Sequence, residues 1–177
     1  MDSSGTKVTG PNSTSPRSLN MGLVRSIVTR LHRSPRAPVQ LTTLEGERIG
    51  KDAVGELGEQ LAVRHLRSEG YKVLYRNFRA VEGGEVDIVC RHGDVLAFVE
   101  VKTRTSDKYG RPIDAVNMDK RFLITRGAME WLRLLDFENG EVRYRFDVVE
   151  VMLSNGERPE FNVVREAFET PEPYIYG

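Results

Sequence analysis

The sequence predicts an α/β domain, and three observations support this prediction. Residues 83–104 contain two β-branched, apolar runs separated by a short turn, which is typical of a β-hairpin. Residues 52–68 and 117–135 have apolar residues at helical spacing. Residues 71–76 and 143–153 alternate in the manner of strands.

The length of 177 residues and an apolar content of 39% suit one domain with a core and an appendage. The net charge is zero, but residues 3–44 hold six Lys or Arg residues and no acid. Without these bases and Asp2, residues 45–177 retain 20 bases and 25 acids, a net charge of −5. A domain of this charge is not coated with basic residues, so any nucleic-acid contact must be local.

The cysteine and histidine content excludes several kinds of site. The single cysteine, Cys90, excludes an internal disulfide and any cysteine-based zinc site, which fits a reducing, cytoplasmic location. Its place in the hairpin favours a small core residue over a nucleophile. The three histidines are far apart and lack ligand spacing.

No apolar run approaches the ~18 residues of a membrane span, so we expect a soluble protein.

The first 48 residues are predicted to be a disordered basic extension, followed by a domain at 49–170 and a tail at 171–177. Residues 1–20 are rich in Ser, Thr, Pro and Gly. Residues 21–33 have apolar residues every four positions with arginines between them. They are either an amphipathic helix that binds a membrane surface or nucleic acid, a targeting segment, or part of an unstructured tail.

The first predicted helix, 52–68, contains two unexpected glycines. Asp52 is a candidate N-cap, and Leu side chains form the apolar stripe. Gly55 and Gly58 each cost the helix ~1 kcal/mol relative to Ala, so we expect another backbone or a ligand to approach closely there. Glu59 lies one turn after Gly55 and is either a site residue or an ordinary surface glutamate.

The predicted hairpin fixes which residues face each other. A two-residue turn at Gly93-Asp94 needs a positive φ at its first position, which glycine supplies. His92 then pairs with Val95. Counting back along both strands makes Asp87 face Glu100, and likewise makes Glu85 face Lys102.

Facing Asp87 and Glu100 should repel each other. Two carboxylates ~5 Å apart repel by about 3 kcal/mol at an effective dielectric of ~20, so a cation is expected between them. A divalent metal such as Mg²⁺ is one candidate, since it takes one or two carboxylates and keeps water in its remaining positions. Lys102 lies on the same face as Glu100 and is the other candidate, as a purely structural ion-pair partner.

The second helix and the last strand complete the predicted core. Asn117 is a candidate N-cap, and Trp131, Leu132 and Leu135 are expected on the buried side of the helix. The strand at 143–153 ends at the Asn155-Gly156 turn. A short apolar patch after it is expected to pack onto the domain, and it comprises Phe161, Val163, Val164 and Phe168.

Positive charge is concentrated in residues 102–126, which hold seven bases and three acids. A phosphate backbone would need such charge beside the suspected metal site, although a solvated loop and helix face is the alternative. The candidate DNA contacts are Arg104, Lys108, Arg111, Lys120 and Arg121.

The order of a helix glutamate, Glu59, then Asp87, then Glu100-x-Lys102 resembles the restriction-endonuclease-like, or PD-(D/E)xK, nuclease superfamily. Over roughly residues 50–153 the chain more closely resembles the YraN-like family of small bacterial proteins. The segments that carry this resemblance are 55–59, 76–79, 84–89, 98–104, Lys120 and 145–149.

This resemblance implies a restriction-endonuclease-like core, in which a mixed central sheet is flanked by helices. It also implies that Asp87 and Glu100 ligate Mg²⁺ or Mn²⁺, with the Val101 backbone carbonyl as a further ligand. Glu59 would reach the site from its helix. Lys102 would position or deprotonate the attacking water and stabilise the developing charge.

The implied reaction is hydrolysis of phosphodiester bonds in DNA. Resemblance to archaeal Holliday-junction resolvases adds branched DNA as a candidate substrate, and a homodimer is left open. Val86 stands where the superfamily label has a proline. The alternative function is a non-catalytic nucleic-acid-binding or adaptor protein that keeps the fold and holds its carboxylates with Lys102 alone.

Overall fold

The computed structural model describes residues 37–105, 116–135 and 142–172. These residues form two helices and five strands. The helices are α1 (Lys51–Ser68) and α2 (Met118–Leu134). The strands are β1 (Lys72–Arg79), β2 (Glu85–His92), β3 (Val95–Arg104), β4 (Tyr144–Met152) and β5 (Glu160–Phe168).

The five strands form one mixed sheet in the order β1-β2-β3-β4-β5. Strands β3 and β4 are parallel, and the other neighbours are antiparallel. The α/β prediction with a mixed central sheet is confirmed. The predicted hairpin register is confirmed from His92–Val95 to Ile88–Val99, and Gly93 has the expected positive φ of 65°.

The two helices cover opposite faces of the sheet. Alternate residues of a strand point to opposite sides, so each helix packs against its own set of strand side chains. Leu61, Ala62 and Leu66 of α1 pack against Val99 and Val149, among others. On the other face, α2 packs against a second buried cluster. That cluster includes Val86, Phe98, Phe146 and Val148, with Ile124 and Ala128 from the helix.

Several predicted element boundaries need correction. The N-cap of α1 is Gly50 rather than Asp52, which lies in the first turn and makes no capping hydrogen bond. The cap of α2 is Asn117 as predicted, since its side chain accepts a hydrogen bond from the N–H of Lys120. Leu135 is the C-cap of α2 and is 37% exposed rather than buried, since the last α2 side chain packed against the second cluster is Leu132.

The C-terminal apolar patch is more ordered than predicted. It forms β5, an edge strand paired with β4, and its side chains enter both core clusters. The folded part also includes residues before 49. Val39 is buried, and its backbone exchanges hydrogen bonds with Glu157 and Gly156.

Predictions for residues 1–36, including the candidate helix at 21–33, lie outside the described residues, as do those for residues 173–177 of the tail. Of the helices that the structure describes, none is long and apolar enough to cross a membrane.

Candidate functional site

The hairpin brings Asp87 and Glu100 together just beyond the regular β2–β3 ladder. The last ladder pair is Ile88–Val99. One residue further on, the Asp87 carboxylate itself accepts a hydrogen bond of 2.7 Å from the N–H of Val101. Asp87 is therefore held beside Val101 and lies close enough to Glu100 to be affected by its charge, although the predicted Asp87–Glu100 pair falls beyond the ladder.

Glu100 is only 2% exposed, and two lysines share one of its oxygens. The Nζ atom of Lys102 lies 2.8 Å from Glu100 Oε1, and that of Lys120 lies 3.3 Å from the same atom. The other oxygen, Oε2, is buried and has no hydrogen-bond partner among the described residues. A buried carboxylate oxygen without a partner is costly, so the lysines satisfy only half of this group.

Asp87 is less well neutralised than Glu100. Within the described part of the chain, no ion pair includes it. Burial, and secondly the neighbouring charge of Glu100, raise the pKa of Asp87 to about 7, although the Val101 N–H and Lys120 act in the opposite direction. The environment of Asp87 therefore disfavours its charged form.

Glu59 reaches the same pocket from α1. The pocket has a volume of about 410 Å³ and is bounded by Glu59, Asn77, Phe78, Arg79, Glu85, Val86 and Asp87. Burial raises the pKa of Glu59, although a hydrogen bond from Asn77 lowers it, and the charge of Glu100 contributes to the rise. Glu59 is thus half-buried and lines the same pocket as Asp87.

Asn77 was not singled out as a site residue from the sequence. Its φ of 54° lies in the left-handed region, which non-glycine residues adopt rarely and Asn more readily than most. Residues held in such conformations often cluster at functional sites. Its side chain is the hydrogen-bond partner of Glu59, but the strand pattern alone gave no signal of this role.

The ion pair between Glu85 and Lys120 was not predicted from the sequence. Glu85 was expected to face Lys102, but it pairs with Lys120, whose Nζ lies 2.6 Å from Glu85 Oε1. Lys120 was predicted only as a DNA contact. The one available sequence signal was Asn117, since capping there places Lys120 in the first turn of α2.

The residues predicted to contact DNA differ in how their side chains are paired within the protein. Arg104 pairs with Glu150 at 2.9 Å, and both side chains are mostly buried. Arg121 donates to the Val116 carbonyl and lies over the Phe168 ring. Lys108 and Arg111 lie outside the described residues.

A second pocket of about 360 Å³ lies along β4 and β5, between Glu150 and Asn162. Arg104 already neutralises Glu150 there. We therefore favour the pocket beside Asp87 as the candidate site, since its carboxylates are only partly neutralised.

Asp87 and Glu100 have the donor set that a hard divalent cation prefers. Mg²⁺ commonly binds through one or two carboxylates and completes its shell with water or phosphate oxygens. Among the described residues, no group of three or more His, Cys, Asp or Glu side chains is arranged to hold a metal ion, so any ion here would rely on two carboxylates. The unpartnered Oε2 of Glu100 and the raised pKa of Asp87 fit a two-carboxylate site.

Comparisons with known proteins place the chain in a family. Residues 58–151, just over half of the chain, match the model of the uncharacterised protein family UPF0102. This range contains Glu59, Asp87, Glu100 and Lys102.

Curated relatives support the same assignment. A UPF0102 protein of Trichlorobacter lovleyi is 45% identical over 68% of this chain and 93% of its own length. Another from Rhodococcus jostii is 45% identical over 66% of this chain and 96% of its own length. One from Caldicellulosiruptor saccharolyticus is 40% identical over 68% of this chain and 100% of its own length. These matches confirm the predicted YraN-like resemblance, and the chain belongs to the uncharacterised protein family UPF0102.

Proposed function

We propose that this protein is a metal-dependent endonuclease that hydrolyses phosphodiester bonds in DNA and uses Mg²⁺ or Mn²⁺. One observation carries the proposal. Asp87 and Glu100 lie side by side, and the described lysines leave Asp87 and Glu100 Oε2 without a cationic partner. This unneutralised charge favours a divalent cation.

The site residues have distinct roles in this proposal. Asp87 and Glu100, with the Val101 carbonyl as a further candidate ligand, would hold a Mg²⁺ or Mn²⁺ ion, which would supply Lewis-acid activation. Lys102 holds a proton beside the reacting phosphate and stabilises the charge that develops on it. Glu59, oriented by Asn77, faces the same pocket and orients the attacking water.

The proposed substrate is DNA, and the resemblance to junction resolvases favours branched forms. Lys108 and Arg111 remain candidate contacts to its phosphates, together with Arg104 and Arg121. A homodimer remains open.

A cleavage assay on linear, flapped and four-way-junction DNA tests the proposal. With Mg²⁺ or Mn²⁺, the wild-type protein should cleave at least one of these substrates, and Asp87→Asn should abolish cleavage. Asp94→Asn is a matched control, because it makes the same change at the exposed turn of the same hairpin. No cleavage of any substrate with either metal would contradict the proposal.

One observation favours the non-catalytic alternative, namely that Lys102 and Lys120 already pair with Glu100. In that case the protein would bind DNA in a salt-sensitive manner that Asp87→Asn leaves unchanged. It would also bind no Mn²⁺ in calorimetry.

A further inference from the structure

Lys120 joins α2 to both strands of the hairpin. Its ammonium lies 2.6 Å from Glu85 Oε1 on β2 and 3.3 Å from Glu100 Oε1 on β3. The Lys120 side chain is only 19% exposed. A lysine ammonium has three N–H donors, so a third donor is available after these two contacts.

The position of Lys120 is unfavourable for the helix itself. Lys120 lies in the first turn of α2, where the helix dipole disfavours a positive charge. Burial lowers the pKa of Lys120, but Glu100, Glu85 and Asp87 together outweigh this effect and raise it. The carboxylates, not the helix, therefore stabilise the charged side chain.

Direct backbone packing fixes α2 against the hairpin. A Cβ atom on Gly84 would lie 2.7 Å from the backbone nitrogen of Gly127, so the helix and the start of β2 touch without intervening side chains. Arg126 also donates a hydrogen bond to the Glu82 carbonyl. This contact sets the position of Lys120 relative to Glu85, as a preorganised site requires.

The two lysines at Glu100 have different anchors. Both contact the same oxygen, but Lys120 has a second carboxylate, Glu85, whereas the ion pair of Lys102 is with Glu100 alone among the described residues. A cation bound at the unpartnered Oε2 of Glu100 would repel the Lys120 ammonium from Oε1, and Glu85 would keep Lys120 in the pocket.

We infer that Lys120 is a second lysine of the proposed nuclease site. It competes with the divalent cation for Glu100 and, once displaced, binds the substrate phosphate while Glu85 positions it. This inference rests on the proposed function, and it makes Glu85 a positioning residue.

Calorimetry with Mn²⁺ alone tests the competition. Lys120→Met should bind Mn²⁺ about tenfold more tightly than the wild type, because a positive charge beside Glu100 has been removed. At saturating Mn²⁺, DNA cleavage by this variant should fall about a hundredfold, as when other transition-state donors are lost. Lys72→Met is the matched control and should change neither value, since Lys72 is exposed at the far end of β1.

The role of Glu85 is tested by a pair of variants. Glu85→Gln should slow cleavage, because Lys120 loses its anchor. If Glu85 acts only through Lys120, the double variant that combines Glu85→Gln with Lys120→Met should cleave DNA no more slowly than Lys120→Met alone. Lys120→Gln also removes the charge, so it should likewise bind Mn²⁺ more tightly than the wild type, which covers the case in which Lys120→Met fails to fold. Lys120→Arg keeps the charge and should bind Mn²⁺ with nearly wild-type affinity.

The outcomes separate this inference from the proposed function. If folded Lys120→Met binds Mn²⁺ no more tightly than the wild type, the inference is wrong even where the wild type cleaves DNA. If the wild type binds Mn²⁺ but cleaves no DNA, the proposed nuclease function fails, and tighter binding by Lys120→Met still supports the competition. If neither protein binds Mn²⁺, both ideas are wrong.

Discussion

The surroundings of Asp87 have opposing effects on the charge of its carboxylate. The N–H of Val101 donates to its carboxylate at 2.7 Å, which stabilises the charged form. Burial and the adjacent Glu100 disfavour that form more strongly and raise the pKa of Asp87 to about 7. Folding therefore forces an unfavourable charge on this residue at neutral pH, and a bound cation would relieve it.

This raised pKa predicts a pH-dependent stability. The unfolded pKa of Asp is about 3.9, so between pH 4 and pH 7 the folded protein binds more protons at Asp87 than the unfolded chain does. The contribution of Asp87 to the free energy of unfolding should consequently fall as pH rises through this window. In urea titrations without metal, the wild type should lose stability relative to Asp87→Asn from pH 4 to pH 7.

Added Mn²⁺ should stabilise the wild type more at pH 8 than at pH 5, because only the deprotonated carboxylate binds metal. Asp94→Asn should follow the wild-type pH profile. Parallel profiles for the wild type and Asp87→Asn would contradict the raised pKa.

Asn77 offers a second test at a single residue. Glycine accepts its φ of 54° without strain, but Ala does not, so Asn77→Ala should be about 1 kcal/mol less stable than Asn77→Gly in urea unfolding. Both variants lose the hydrogen bond that lowers the pKa of Glu59. An NMR titration of the Glu59 carboxyl should therefore give a higher pKa in both, and an unchanged value would contradict the contact.

At the scale of elements, the two glycines of α1 have opposite environments. A Cβ atom on Gly58 would lie 1.8 Å from Thr103 Oγ1, whereas one on Gly55 would meet nothing within 4 Å. A close approach is therefore observed at Gly58, and no described protein atom approaches Gly55. The partner at Gly58 is a β3 side chain rather than a backbone or ligand, so this glycine seats α1 beside the strand that carries Glu100.

These environments predict opposite effects for the same substitution. Gly58→Ala should destabilise the fold by about 1–3 kcal/mol through overpacking against Thr103. Gly55→Ala should stabilise it by up to ~1 kcal/mol, since Ala favours the helix and the space is open. Thermal unfolding of both variants checks the pair, and equal shifts in melting temperature would contradict the packing of α1 on β3.

The hairpin and β5 differ in how well local sequence predicts them. The Gly93-Asp94 turn determines the hairpin register from His92–Val95 to Ile88–Val99, and one further step along both strands brings Asp87 near Glu100. The side chains of β5 enter both buried clusters, and Glu166 has a positive φ of 51° near the register shift in β4. The apolar residues of β5 therefore lack the regular alternation by which a strand is predicted. Lys120 and Glu85 are 35 residues apart and meet through the packing of Gly84 on Gly127, which no local pattern contains.

For the molecule as a whole, the sheet separates two clusters of charge. Asp147 pairs in register with Val99, so it points away from the face that carries Glu100. It is fully buried and accepts hydrogen bonds from Arg145, Tyr71 and the N–H of Glu166. This cluster joins β4 to β5 and to Tyr71, the residue before β1.

The separation predicts that stability and metal binding respond to different aspartates. Asp147→Asn removes the charge that Arg145 pairs with at 2.9 Å, and breaking such a buried pair typically costs 3–5 kcal/mol. Its urea midpoint should drop sharply, while the protein that remains folded binds Mn²⁺ with wild-type affinity. Asp87→Asn should do the reverse, losing Mn²⁺ binding with unchanged or higher stability at neutral pH, because it removes a charge that folding disfavours.

Calorimetry on both variants at 10 °C, with the folded fraction taken from circular dichroism, provides the comparison. Loss of Mn²⁺ affinity in folded Asp147→Asn would show that the two faces are coupled and would contradict their separation.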